Sequence, residues 1–139
     1  MEKHGDKILE SDFRRWVGQQ FSNAGWFFQS IETTTKAGVP DVYAVADNDV
    51  RFWLELKTGD RPEPLIRKEQ RVWALKHKEK GGKSLLAYLN YKNGTVQLYE
   101  APYLKVRKVG KYLAVEDPYE LVPKAQFVEF LRSKLCSRV

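Results

Sequence analysis

Apolar residues recur with a helical period near the start of the chain, where Ile8, Leu9, Phe13, Trp16, Val17 and Phe21 fall largely on one side of a wheel drawn at 100° per residue. This predicts an amphipathic helix over Ile8–Phe21, with Gly25 at or just beyond its end. The pattern then changes period. "GWFFQSI" reads as a strand, "ETTTKAG" as a polar loop, and "VYAVA" and "VRFWLELK" as two strands of a hairpin joined by the short Asp-Asn-Asp segment. In the second strand Val50, Phe52, Leu54 and Leu56 point one way, and Arg51, Trp53, Glu55 and Lys57 the other.

A second helix is expected from about Leu65 to Lys80, after a segment carrying Pro62 and Pro64 and before Gly81-Gly82. "SLLAYL" and "TVQLYE" add two more strands. A short hairpin around Gly110 and an amphipathic helix over Pro123–Leu135 close the chain. The order gives an α/β fold: a mixed β-sheet flanked by helices in the order α-β-β-β-α-β, with a C-terminal hairpin and helix. At 139 residues the chain fits one domain, with a core over about 8–100 and an extension over about 101–139.

Two exceptions to the pattern carry the chemistry. Glu10 falls inside the apolar arc of the first helix, between the directions of Val17 and Phe21, while Asp12 sits at its edge and Arg14 and Arg15 lie outside. On the residues alone, Glu10 reads as a helix-start acid favoured by the macrodipole. The other exception is the hairpin. If Ala46 and Val50 close its loop, Asp41 lies opposite Glu55 on one sheet face, with Cβ atoms about 4.5–5.5 Å apart, where two unscreened carboxylates repel. Either a divalent cation between them or a salt-bridge cluster with Lys57, on the same face, relieves that repulsion.

Composition narrows the field. The 24 Lys and Arg against 18 Asp and Glu give a net charge of +6, which makes an anionic polymer a plausible partner. No apolar run spans a bilayer and the N-terminus has no apolar signal core, so a cytoplasmic protein is expected. Cys136 has no disulfide partner, and with His4 and His77 it offers no zinc spacing, so any metal must be held mainly by oxygens. No phosphate-binding glycine loop appears, and no ATP dependence is expected.

The pattern Gly38-x-Pro40-Asp41, a hairpin, then Glu55-x-Lys57, with an acid on a preceding helix, resembles the PD-(D/E)xK nuclease superfamily. Within it, "AGVPDVYAV…WLELKTGD…KEQ" is most similar to the VRR-NUC branch and to archaeal-type Holliday junction resolvases, over roughly residues 8–90. The resemblance implies a restriction-endonuclease-like core and a Mg²⁺- or Mn²⁺-dependent DNA endonuclease. Asp41, Glu55 and the backbone carbonyl of Leu56 become metal ligands, and Glu10 becomes the helix acid completing the site in place of the helix-start reading. Lys57 orients or activates the attacking water and steadies charge on the phosphate, and Gln70 becomes a supporting or water-positioning group instead of a surface glutamine. The implied substrate is branched DNA, a four-way junction cut by a homodimer. A nuclease for flaps, nicked or linear DNA, or a non-catalytic DNA-binding module of the same fold, is the alternative. Lys36, Arg61, Arg67 and Lys68 flank the motifs and are candidate phosphate contacts. For Lys105, Arg107, Lys108 and Lys111, phosphate contact and a merely solvated surface both stay open. Trp73 and His77 are read as packing residues.

Overall fold

In the computed structural model, residues 7–31, 38–100, 103, 105–116, 118 and 120–136 are described. Helix α1 (Glu10–Asn23) is followed by strands β1 (Phe27–Ser30), β2 (Val42–Ala46) and β3 (Val50–Gly59), a two-residue strand β4 (Leu65–Ile66), and helix α2 (Lys68–Glu79). Strands β5 (Ser84–Asn90), β6 (Thr95–Glu100), β7 (Val106–Val109), β8 (Tyr112–Val115) and β9 (Glu120–Pro123) then lead into helix α3 (Phe127–Leu135). The expected α-β-β-β-α-β order is present, interrupted only by β4.

Six strands form a mixed sheet in the order β1-β2-β3-β5-β6-β9. The β2–β3 hairpin has Val42 opposite Leu54 and Ala46 opposite Val50, the register expected from the sequence. Its turn is a 3₁₀ segment, with Asn48 and Asp49 both at φ 62°, a conformation that Asn and Asp tolerate better than most residues. β3 then runs parallel to β5, and all seven residues of β5 are buried, as befits a central strand covered on both faces.

Alternation sorts the strand residues into two apolar layers. On one face, Phe13, Val17 and Phe21 of α1 and Phe127 and Leu131 of α3 pack on Val42, Ala44, Phe52, Leu54, Leu56, Leu85 and Ala87. On the other, Ala74 of α2 meets Ile66, Leu86, Tyr88, Tyr99, Tyr103 and Val115. The second face is completed by a three-stranded sheet, β4-β8-β7, which docks the C-terminal hairpin onto the connection between β3 and α2.

Three expectations need correction. α1 begins at Glu10 instead of Ile8, so Glu10 is its first residue; it is exposed at the helix end, on the stripe that continues into buried Phe13, Val17 and Phe21. α2 begins at Lys68 instead of about Leu65, because Leu65 and Ile66 are drawn into the ladder with β8. α3 begins at Phe127 after a 3₁₀ turn over Lys124–Gln126, since Pro123 ends edge strand β9. The packing readings of Trp73 and His77 hold: their rings stack with centroids 4.7 Å apart, and Trp53 packs edge-on to Trp73 at 5.5 Å. No helix among the described residues is long and apolar enough to cross a membrane.

Phe21 sits where α1, α3 and the sheet meet, with the rings of Trp26, Phe28, Phe52 and Phe127 at 5.1, 6.1, 6.0 and 6.3 Å. Phe21→Ala is expected to cost about 3–5 kcal/mol in denaturant unfolding. A loss under about 1 kcal/mol would mean these rings do not hold the layers together.

Candidate active site

The site forms where β3 outruns its partner. β2 starts at Val42, opposite Leu54, so the stretch from Glu55 to Gly59 keeps β5 on one side and loses β2 on the other. Backbone donors on that open edge need acceptors. Leu56 N–H donates to Asp41 Oδ2 at 3.1 Å, and Thr58 N–H, two residues on and hence on the same edge, lies near the Glu10 carboxylate and favours its charged form. Two acids from distant parts of the chain thus gather at the edge that β2 leaves open, and Asp41 takes a ladder position there. Because N–H and C=O of one strand residue face the same edge, the Leu56 carbonyl also looks toward these acids.

Asp41 is fixed from the other side as well, since its carbonyl accepts Ile31 N–H at 2.7 Å. The segment entering β2 is anchored by Gly38, at φ +90°. A Cβ there would overlap the Glu69 carbonyl oxygen, so only glycine lets the Gly-x-Pro-Asp segment close on the first turn of α2.

That turn supplies the next contact. Arg67 N–H donates to Gln70 Oε1 at 2.8 Å, the half of a capping box that an N-cap arginine permits. With its oxygen engaged, Gln70 turns its amide NH₂ to Glu55 Oε2 at 2.9 Å, and both side chains are buried. Lys57 Nζ lies 3.7 Å from the same oxygen. The sequence-predicted residues Glu10, Asp41, Glu55, Lys57 and Gln70, with Leu56, therefore converge. Asp12 does not join them; it is exposed and pairs with Arg15 at 3.3 Å.

Electrostatically the cluster is short of positive charge. Burial first, then the neighbouring Asp41 carboxylate, pushes Glu55 from 4.5 up to about 8; Lys57 opposes this, and Asp41 is placed to accept the proton that Glu55 keeps. Glu10 is raised by partial desolvation and by Asp41, against the opposing pull of Lys57 and the Thr58 N–H. Among the described residues no three Asp, Glu, His or Cys side chains are drawn into a ready coordination cluster. The available donors, Asp41, Glu55 and the Leu56 carbonyl with Glu10 beside them, are all hard oxygens.

Of the candidate phosphate contacts, Arg61, Arg67 and Lys68 are exposed around this cluster, on the loop from β3 and the start of α2. Lys36 lies outside the described residues. The Arg61 carbonyl accepts Tyr88 Oη at 2.8 Å and Asn90 Nδ2 at 3.3 Å, which pins the loop and leaves the guanidinium outward. Sequence reasoning missed Tyr103. It is buried, its ring lies in the field of Glu55, and its carbonyl accepts Arg71 Nε at 3.1 Å. No motif marks it, because its relation to Glu55 exists only in the fold.

No family model matches the sequence, and no curated protein matches it. Solved structures do resemble the fold. The resolvase Hjc of Archaeoglobus fulgidus, a Holliday junction resolvase from an archaeal hyperthermophile, aligns over 77% of this chain and 88% of its own, with a TM-score of 0.58 at 11% identity. A VRR_NUC domain aligns over 60% of this chain and 87% of its own, with a TM-score of 0.49 at 15% identity. The likeness is one of fold, the restriction-endonuclease-like architecture that the sequence motifs imply.

Two outcomes follow from the site's geometry. Gly38→Ala is expected to destabilise the protein by more than about 2 kcal/mol, since its Cβ meets backbone and its φ is positive; an unchanged denaturation midpoint would overturn the packing argument. The second concerns pH. Glu55 titrates near 4.5 when unfolded and near 8 when folded, so the stability linked to its proton is complete below 4.5 and is lost as pH rises through 8. In EDTA, Glu55→Gln should therefore gain stability relative to the parent protein between about pH 5 and pH 9, by at most about 5 kcal/mol. Parallel stability curves for the two proteins would contradict the raised pKa.

Proposed function

We propose that the protein is a metal-dependent DNA endonuclease specific for branched structure, most concretely a four-way-junction resolvase acting as a homodimer. The observation that carries this reading is the Asp41–Glu55 pair at the open edge of β3, with Lys57 and Gln70 on Glu55, in a fold shared with a Holliday junction resolvase. A binding module has no need of buried carboxylates that repel phosphate.

The residues suit a hard divalent cation. Two carboxylates lie side by side, and burial, then the Asp41 charge, hold the Glu55 pKa up, a cost that a bound cation relieves. Asp41, Glu55 and the Leu56 carbonyl, with Glu10 nearby, would hold Mg²⁺ or Mn²⁺. Such an ion supplies a bound water of lowered pKa and neutralises phosphate charge.

The chain's own groups do the rest. Phosphodiester hydrolysis forms a bond from a water oxygen to phosphorus and breaks one phosphorus–oxygen ester bond, and charge gathers on the phosphoryl oxygens along the way. Lys57, half-buried beside Glu55, presents an ammonium to the phosphate, orients the attacking water and steadies the added charge. Gln70 holds the Glu55 carboxylate in one orientation and keeps its lone pairs from wandering. Cutting a four-way junction requires two nicks, and a two-fold dimer supplies two such sites.

The test is cleavage of a labelled four-way junction in Mg²⁺, beside a flap and a linear duplex of matched sequence. Paired symmetric nicks confined to the junction are expected. Glu55→Gln and Lys57→Ala should each lower the rate at least about 100-fold, and Gln70→Ala less. Cutting of flap or duplex in preference to the junction would overturn the substrate while keeping the chemistry. No cutting of any DNA with Mg²⁺ or Mn²⁺ would sink the enzymatic reading.

A further inference from the structure

The C-terminal hairpin formed by β7 and β8 lies beside the candidate site, and the register of the small sheet says which of its residues come closest. β8 pairs with β4 so that Leu65 faces Ala114 and Ile66 faces Leu113. Arg67 follows β4 directly and Lys68 opens α2, while Tyr112 and Lys111 come just before Leu113, so the start of α2 and the hairpin tip leave the β4–β8 pair at the same end. Lys108 pairs with Leu113 across β7–β8, so it stands on the same sheet face as Ile66. The hairpin tip, around Gly110, thus extends past β4 toward the start of α2, one helical turn from Gln70 and its contact with Glu55.

The base of the hairpin is held firmly. Val115 N–H donates to the Pro64 carbonyl at 3.1 Å, and Arg107 bridges Glu63 at 2.6 Å and Glu116 at 3.2 Å. Arg107 is therefore committed to carboxylates, although the sequence places it in the same basic run as its neighbours. Lys108 and Lys111 are different. Both are exposed, Lys108 makes no ion pair with a described residue, and Lys111 lies over the Tyr112 ring at 5.5 Å. With Arg67 and Lys68, also exposed, they leave this end of the small sheet with four exposed cations, against Glu69 in the same turn of α2. Exposed cations on one surface repel one another, and an anion lying among them offsets that repulsion.

We propose that the tip of the β7–β8 hairpin, through Lys108 and Lys111, joins Arg67 and Lys68 in gripping the phosphate backbone of the DNA arm beside the cleaved bond. This rests on the nuclease reading above and names the surface that orients its substrate. The C-terminal segment, which no motif explains, is then a fixed arm of the substrate site, and Arg107 is the rivet that holds the arm in place.

Binding without cleavage separates the two claims. Fluorescence anisotropy of a labelled junction in EDTA, across a salt series, gives the dissociation constant and the slope of log K against log salt. Lys108→Ala/Lys111→Ala is expected to weaken binding several-fold and reduce the slope by about 1 for each phosphate no longer neutralised. Lys108→Arg/Lys111→Arg should restore both values, which excludes a folding defect as the cause. Lys92→Ala, in the turn between β5 and β6, should bind like the parent protein. If the parent protein binds while the double alanine variant keeps its affinity and slope, the hairpin plays no part and the nuclease reading stands. If the parent protein binds no DNA at any salt concentration, both fall together.

Discussion

The candidate site depends on a mismatch in strand length. β3 is ten residues long and β2 five, so part of the β3 edge is left without a ladder. Unpaired backbone donors beside a core are costly, and here the Asp41 carboxylate accepts the Leu56 N–H while Glu10 lies beside the Thr58 N–H. The same strand geometry that draws in the acids turns the Leu56 carbonyl toward them. Structural need and candidate chemistry are met by the same atoms, so the site cannot be dismantled without exposing the sheet edge.

Around that edge each support comes from a different element. Gly38 lets the lead into β2 press on the carbonyl of Glu69, and the first turn of α2 presents Gln70 to Glu55 through its own capping hydrogen bond. β4, only two residues long, ties this turn to the C-terminal sheet. Tyr103 and Arg71 add a second tie from the same segment. Residues beyond 100 therefore belong to the architecture of the site, although the motifs end well before them.

Glu55 shows how much the fold adds to residue identity. In an exposed hairpin, Glu55 and Lys57 would form an ordinary surface pair, weak and screened by solvent. Here Glu55 is 4% exposed, faces Asp41 and accepts from a buried amide, and burial beside that second carboxylate raises its pKa to about 8. Burial makes the difference, because it removes the water that would otherwise stabilise a second negative charge.

The sequence by itself determined the α/β class, the hairpin, its register and the opposition of Asp41 and Glu55. These follow from period-two alternation and a short turn, which act over a few residues and leave a local trace. It misjudged where the helices begin. Leu65 and Ile66 have a helical pattern but find strand partners in residues 113–114, and α1 starts at Glu10 instead of Ile8. Tertiary structure alone decided that Glu10 lies near Thr58, that Gln70 is buried against Glu55, that Tyr103 lies in its field, and that β8 pairs with β4 just before α2 begins. Each of these joins segments tens of residues apart, or turns a side chain by packing it, and neither the distance in space nor the burial is written in the local pattern of the chain.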